Sequence, residues 1–296
     1  MVSSTLIFSL PGNESFTSQL AERLQIPLGE AEIRHFPDEE SYVRVLSEVK
    51  DRDIILVCTL VRPDTKLLPL LFLTQTLKRL GAKRITLLSP YLAYMRQDRV
   101  FKVGEAVTSE CFSALISEYA DRLITVDPHL HRRSTLREIY TIPTQVLHAG
   151  ELIAEWIRSR VKNPLLIGPD QESEQWVSQV ASAIGAPYLV LHKIRHGDRD
   201  VEISLPDLSH YQGYHAVLLD DIISTARTMI EAVEKIRAAG MTPPICLGVH
   251  AVFAGDAYQA LIETGVEKVA TCNTISHPTN EIDITELIVK EINRGV

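Results

Sequence analysis

The chain has 296 residues, about twice the ~100–150 residues of a common domain, so two domains or one large α/β unit are expected. Apolar residues make up 45% and charged residues 23%, which excludes disordered and fibrous classes. A net charge of −8 disfavours nucleic-acid partners. No run approaches the ~20 apolar residues of a membrane span, and Met1–Leu10 lacks the basic flank and cleavage site of a signal peptide, so a cytoplasmic protein with no membrane partner is expected. Cys58, Cys111, Cys246 and Cys272 are far apart and show no ligand spacing, so all four read as core residues.

Short apolar runs bounded by Pro, Gly or polar clusters alternate with longer segments of helical periodicity. In chain order the expected strands are Thr5–Leu10, Ile54–Cys58, Ile85–Ser89, Leu123–Val126, Leu165–Gly168, Tyr188–Leu191, Ala216–Leu219, Ile245–Val249 and Val266–Ala270. The expected helices are Ser15–Leu24, Leu67–Leu80, Ser109–Glu118, Glu151–Arg160, Glu172–Ile184, Thr228–Ala239 and Ile284–Asn293. Gly29–Val45 is less regular and suits a hairpin. Continuous hydrophobic strands of this kind belong to parallel sheets covered on both faces. DIILVCTL and AVLLDD each open a strand–loop–helix–strand passage whose helix ends near a capping glycine, Gly81 or Gly240, a weak internal repeat that suggests two similar α/β halves. The boundary is expected near Pro143–Gly150, dividing the chain into 1–146 and 147–296, with the C-terminal helix free to pack back on the first half.

Ala216–Met229, AVLLDDIISTARTM, carries the most chemistry. A strand running into a helix N-terminus presents free backbone N–H groups and the positive end of the helix dipole at the strand's carboxyl edge, which suits a phosphate. Ser224, Thr225 and Thr228 add hydroxyl donors around Ala226 and Arg227, and Asp220 and Asp221 can accept from sugar hydroxyls or hold a metal through water. A phosphorylated sugar satisfies both halves. The segment resembles the 5-phosphoribosyl 1-diphosphate (PRPP) motif shared by type I phosphoribosyltransferases and ribose-phosphate diphosphokinases, and five further segments make the second family the better match over nearly the whole chain.

HFPDEES resembles that family's nucleotide loop and implies that Phe36, Asp38 and Glu40 reach the adenine of an ATP held by a neighbouring subunit. An aromatic face stacks on a base and a carboxylate accepts from an exocyclic amine. PYLAYMRQD matches the PYxxYxRQD segment and implies ATP contacts from Arg96 and Gln97 with Asp98 beside them. TVDPHLH resembles the TVDxH segment, which assigns His129 to metal–ATP binding. Mg²⁺ prefers oxygen ligands and keeps its waters, so His129 reads as a phosphate or metal-water contact, with His131 further out. IGPDQ places Asp170 where the family holds metal and sugar phosphate. HKIRHGDRD matches the catalytic loop, with Lys193 and Arg195 across the transferred group.

The resemblance implies two phosphoribosyltransferase-like, Rossmann-like domains with parallel sheets, the first for the nucleotide and the second for ribose phosphate. It implies a Mg²⁺-dependent transfer of the diphosphoryl group of ATP to the 1-hydroxyl of ribose 5-phosphate, giving PRPP and AMP, in a homodimer or larger homo-oligomer. No general base stands out. A catalytically weak regulatory homologue and a phosphoribosyltransferase are the alternatives; the nucleotide segments count against the second, and retained Lys193, Arg195, His129 and Asp170 against the first. Two departures from the family pattern remain: Glu39 where Gly is usual, and Ala226-Arg227 in place of Gly-Gly. A side chain forced to positive φ there would cost ~1–2 kcal/mol.

Overall fold

The computed structural model describes residues 4–195, 201–204 and 206–294; the side chains of 172, 192–195 and 201–204 lie outside the description. The chain forms two compact units, Met1–Leu147 with Thr285–Val296, and His148–Ile284.

The first unit runs β1 (Thr5–Ser9), α1 (Glu14–Leu24), β2 (Ala31–His35), β3 (Ser41–Val45), β4 (Asp53–Val57), α2 (Asp64–Arg79), β5 (Arg84–Ser89), α3 (Thr108–Tyr119), β6 (Arg122–Val126) and β7 (Thr144–Leu147). Its main sheet is parallel, ordered β1-β4-β5-β6-β7. Ile54–Val57 and Ile85–Ser89 are buried throughout, as strands covered on both faces must be. Gly29–Val45 does contain the hairpin: β2 and β3 pair antiparallel from Ala31↔Val45 to His35↔Ser41, and β3 lies against α2.

Residues 144–147, at the expected domain boundary and not among the expected strands, form this sheet's last strand. Its residues are mostly half-buried, as suits an edge, so the apolar run that marks the inner strands is missing there. On α3 the buried residues Ser109, Phe112, Ser113 and Ile116 follow the i, i+3, i+4, i+7 stripe. Cys111 falls off that stripe and is exposed, which corrects its reading as a core residue; Cys58, Cys246 and Cys272 are buried.

The second unit runs α4 (Gly150–Arg160), β8 (Pro164–Gly168), α5 (Glu174–Ile184), β9 (Tyr188–Val190), β10 (His192–Arg195), β11 (Val201–Ser204), β12 (His215–Ile223), α6 (Arg227–Ala238), β13 (Ile245–Ala251), α7 (Ala257–Glu263), β14 (Lys268–Cys272) and β15 (Asn280–Ile282). The main sheet, ordered β15-β14-β13-β12-β8-β9, is parallel, and β10 and β11 form an antiparallel pair. On α6, Met229, Ala232, Val233 and Ile236 repeat the buried stripe. Gly81 and Gly240 follow α2 and α6 at φ +87° and +80°, where a left-handed residue ends a helix.

The closing helix, α8 (Thr285–Arg294), groups with the first unit. Arg122 on β6 donates to the buried Glu291 at 2.6 Å, and Ile288 and Ile292 turn inward from the same helix. No helix among the described residues is long and apolar enough to cross a membrane.

Candidate active site

The phosphate segment departs from expectation at its start. β12 does not stop at Leu219: Asp220 pairs with Gly248, and Ile222 and Ile223 with His250 and Ala251, so both carboxylates lie within the strand. The continuation was hidden because paired acids read as a strand end. Ile223 passes directly over Gly248, where a Cβ would stand 2.7 Å from the Ile223 side chain. Glycine at 248 thus lets the strand carry the carboxylates to its far edge.

Beyond β12, Ser224 and Thr225 lead to Ala226, which holds φ +55°, ψ 3° as the N-cap of α6. The usual first glycine therefore does mark a left-handed position. The second does not, because Arg227 is the first helical residue. Ala226 is buried in the same apolar cluster as Ile223 and Met229. Burying its methyl returns ~0.8 kcal/mol, against ~1–2 kcal/mol of backbone strain. The substitution is nearly balanced by local packing. No side chain caps α6; Arg227 and Thr228 open it with no acidic residue in the first turn. A cation at the positive end of a helix costs ~0.3–1 kcal/mol, a cost that an anion bound there removes.

Asp170 lies just beyond β8, the strand next to β12. Its carbonyl is fixed by the Ser173 hydroxyl, which donates at 2.6 Å. Burial, then the charges of Asp221 and Asp170, push the Asp220 carboxyl well above its usual range. The Asp221 amide donates to Asp220 Oδ1 at 2.9 Å. Three oxygen-only acids that repel one another fit Mg²⁺. Among the described residues, however, no three acid, His or Cys side chains converge tightly enough to chelate a metal alone. The donor set therefore suits an ion held partly by water and substrate phosphate, as Mg²⁺ prefers.

In the first unit, the hairpin tip carries Phe36, Asp38 and Glu40. The Phe36 amide donates to Glu40 O at 2.8 Å and the Glu39 amide to Phe36 O at 2.9 Å, closing a tight turn. Glu39 holds φ +70°, so this departure too falls on a left-handed residue. Phe36 is 41% exposed. It meets Tyr42 edge-on at 5.8 Å, and the Arg34 guanidinium lies 5.0 Å from its ring centroid. An exposed aromatic with a cation on it is a ready platform for a base.

Arg96 is exposed and Gln97 half-buried past β5, and the Gln97 carbonyl accepts from the Ser109 amide at the start of α3. Asp98 is taken up inside the protein: Arg132 donates to both its carboxylate oxygens, at 2.9 and 3.2 Å. Arg133 donates to its carbonyl at 3.2 Å. Asp98 thus ties the RQD segment to the segment of His129, whose ring is 6.2 Å from that of His131. Neither arginine had a local signal, because the partners are 34 and 35 residues away. Tyr94 is a further residue given no role from sequence. At φ +61° it turns the chain toward Arg96, its hydroxyl donates to Asp64 in the first turn of α2, and its ring packs on Phe112 at 4.8 Å.

Lys193 and Arg195 lie on β10, in register with Ile203 and Val201; their side chains fall outside the described residues, as do residues 196–200 of the same sequence motif.

Residues 5–119 match the family model described as the N-terminal domain of ribose phosphate pyrophosphokinase, and residues 135–287 that of a phosphoribosyl transferase domain. The chain is 33% identical over 277 residues to ribose-phosphate pyrophosphokinase of Saccharolobus solfataricus, covering 92% of this chain and 93% of the relative. It is 33% identical over 284 residues to the Methanothermobacter thermautotrophicus protein of the same name, covering 96% and 98%. The fold matches the crystal structure of phosphoribosylpyrophosphate synthetase from Mycobacterium smegmatis with a TM-score of 0.86 at 24% identity, covering 98% of both chains. With sequence relatives matched along almost their full length and both halves recognised, the chain belongs to the ribose-phosphate pyrophosphokinase family.

Proposed function

We propose that the protein transfers the diphosphoryl group of ATP to the 1-hydroxyl of ribose 5-phosphate, forming PRPP and AMP. The observation that carries this reading is the Asp220–Thr228 segment. It keeps two carboxylates in the strand, a left-handed Ala226 and an uncapped helix start although both usual glycines are gone. The 5-phosphate binds to the amides opening α6 and to the hydroxyls of Ser224, Thr225 and Thr228. Asp220 and Asp221 accept from the ring hydroxyls. Fixing the sugar at both ends aligns the 1-hydroxyl for attack on the β-phosphorus, so the contribution here is positioning, without a covalent intermediate.

On the nucleotide side, Phe36 stacks on adenine, with Asp38 and Glu40 beside it, while Arg96, Gln97 and His129 contact the phosphate chain. Asp98 holds their segments together. Lys193 and Arg195 meet the negative charge that builds on the transferred phosphoryl oxygens. Mg²⁺, when bound through Asp170, Asp220, Asp221 and substrate phosphate, supplies charge neutralisation at those oxygens. The exposure of Phe36 at a hairpin tip supports completion of the nucleotide site by a second copy of the chain.

The deciding assay measures AMP release from MgATP with and without ribose 5-phosphate. AMP that requires the sugar, with sugar binding lost in Thr228→Ala, is the expected result; AMP released without sugar, or none at all, rejects the reading.

A further inference from the structure

The phosphate segment is held from a side to which the sequence reading gave no role. The carbonyls of Ile223 and Ser224 accept hydrogen bonds from the amides of Phe253 and Ala254, at 2.9 and 3.0 Å. Phe253 holds φ +32° to make this contact, a conformation that bulky residues rarely adopt, so its surroundings must impose it. Its ring stacks on His277 with centroids 4.6 Å apart and 30° between planes. Tyr258 of α7 closes on both, meeting Phe253 at 5.3 Å and His277 at 5.0 Å, each edge-on.

His277 is itself fixed from behind. The Thr279 amide donates to its Nδ1 at 3.3 Å and the Thr279 hydroxyl lies 2.8 Å from the same atom. The His277 amide donates to Asn280 Oδ1 at 2.9 Å, and Asn280 Nδ2 donates to Thr271 Oγ1 and to Cys272 O, both at 2.9 Å. A continuous set of contacts therefore runs from the end of β14 through Asn280, His277 and Phe253 to the backbone of the phosphate segment.

We propose that Phe253, Tyr258 and His277 form a three-ring clamp that sets the backbone of the sugar-phosphate segment, with His277 a positioning residue for ribose 5-phosphate and not for the nucleotide. The inference rests on the function proposed above for that segment. No ring needs to touch the ligand. Two hydrogen bonds fix the carbonyls of Ile223 and Ser224, and so decide where the amides and hydroxyls that follow them point. A phosphate held by several donors at once is sensitive to small displacements of that backbone. With alanine held left-handed at 226, these outside contacts help keep the shape of the segment.

The test uses the full chain with His277→Ala, His277→Phe and Phe253→Leu, with binding of ribose 5-phosphate and inorganic phosphate measured by calorimetry beside steady-state kinetics. His277→Ala and Phe253→Leu should raise Kd and KM for ribose 5-phosphate about tenfold, with KM for ATP within about twofold and kcat within about threefold; ten in Kd corresponds to ~1.4 kcal/mol. His277→Phe keeps a flat ring against Phe253 and should recover most of the loss. Unchanged sugar affinity in His277→Ala, equal weakening of sugar and ATP, or a His277→Phe variant no better than His277→Ala would overturn the clamp. If His277→Ala does not fold, Tyr258→Leu takes its place with the same expected split. A wild type that binds ribose 5-phosphate with this His277 dependence but releases no sugar-dependent AMP would keep the clamp and reject the diphosphokinase reading. A wild type that binds neither sugar nor phosphate overturns both.

Discussion

Glu39 and Ala226, in different units, share one backbone state: each holds a left-handed φ, +70° and +55°, where the family pattern has glycine. The cost of the side chain is offset at one site and not at the other. Ala226 buries its methyl in the core of its unit, whereas Glu39 is exposed at a hairpin tip.

Glycine substitutions should therefore behave differently. Removing ~1–2 kcal/mol of strain while adding ~0.4–1 kcal/mol of unfolded-state entropy leaves Glu39→Gly stabilised by about 0.5–1 kcal/mol. Ala226→Gly also loses ~0.8 kcal/mol of methyl burial and should stay within about 1 kcal/mol of wild type. Denaturant unfolding of both variants checks the contrast; equal gains at the two sites would contradict it.

The carboxylate cluster makes stability depend on pH. The Asp220 carboxyl titrates above its unfolded value, chiefly through burial and then through Asp221 and Asp170. Between the unfolded and folded values the folded chain binds more protons, so ionising Asp220 destabilises the fold as pH rises through that window. Asp220→Asn should match wild type near pH 4 and melt ~2–5 °C higher at pH 7–8, while losing ribose 5-phosphate binding. A melting difference independent of pH would show that charge is not the cause.

Tyr94 offers a test on the nucleotide side. Its hydrogen bond to Asp64 pushes the phenol up to about 12, so it stays a donor across the working range. Tyr94→Phe keeps the ring on Phe112 and removes only the hydroxyl. The expected loss is about 1 kcal/mol. If that loss falls on the RQD segment, KM for ATP rises ~5-fold with KM for ribose 5-phosphate unchanged. Equal changes in both constants would assign the bond to general stability.

Lys193 separates chemistry from binding. If it meets charge only in the transition state, Lys193→Ala should cut kcat on the order of 10³-fold, by analogy with arginine-finger effects, with substrate affinity nearly intact. Unchanged kcat would remove it from the machinery.

The sequence by itself determined the α/β class, because buried parallel strands, amphipathic helices and helix-capping glycines are local patterns with fixed periods, and its family resemblance singled out the segments proposed to carry the chemistry. It also marked Glu39 and Ala226 as departures, without telling whether their backbone was left-handed. The tertiary structure decided that, since φ at a turn is set by what the flanking strand and helix demand. It likewise extended β12 through Asp220 and Asp221, which only pairing with Gly248–Ala251 explains. Distant partners were the last to be legible. Arg132 reaches Asp98 and Phe253 reaches Ile223 and His277 only once the sheets are assembled; a residue's own neighbours in sequence carry no record of such contacts.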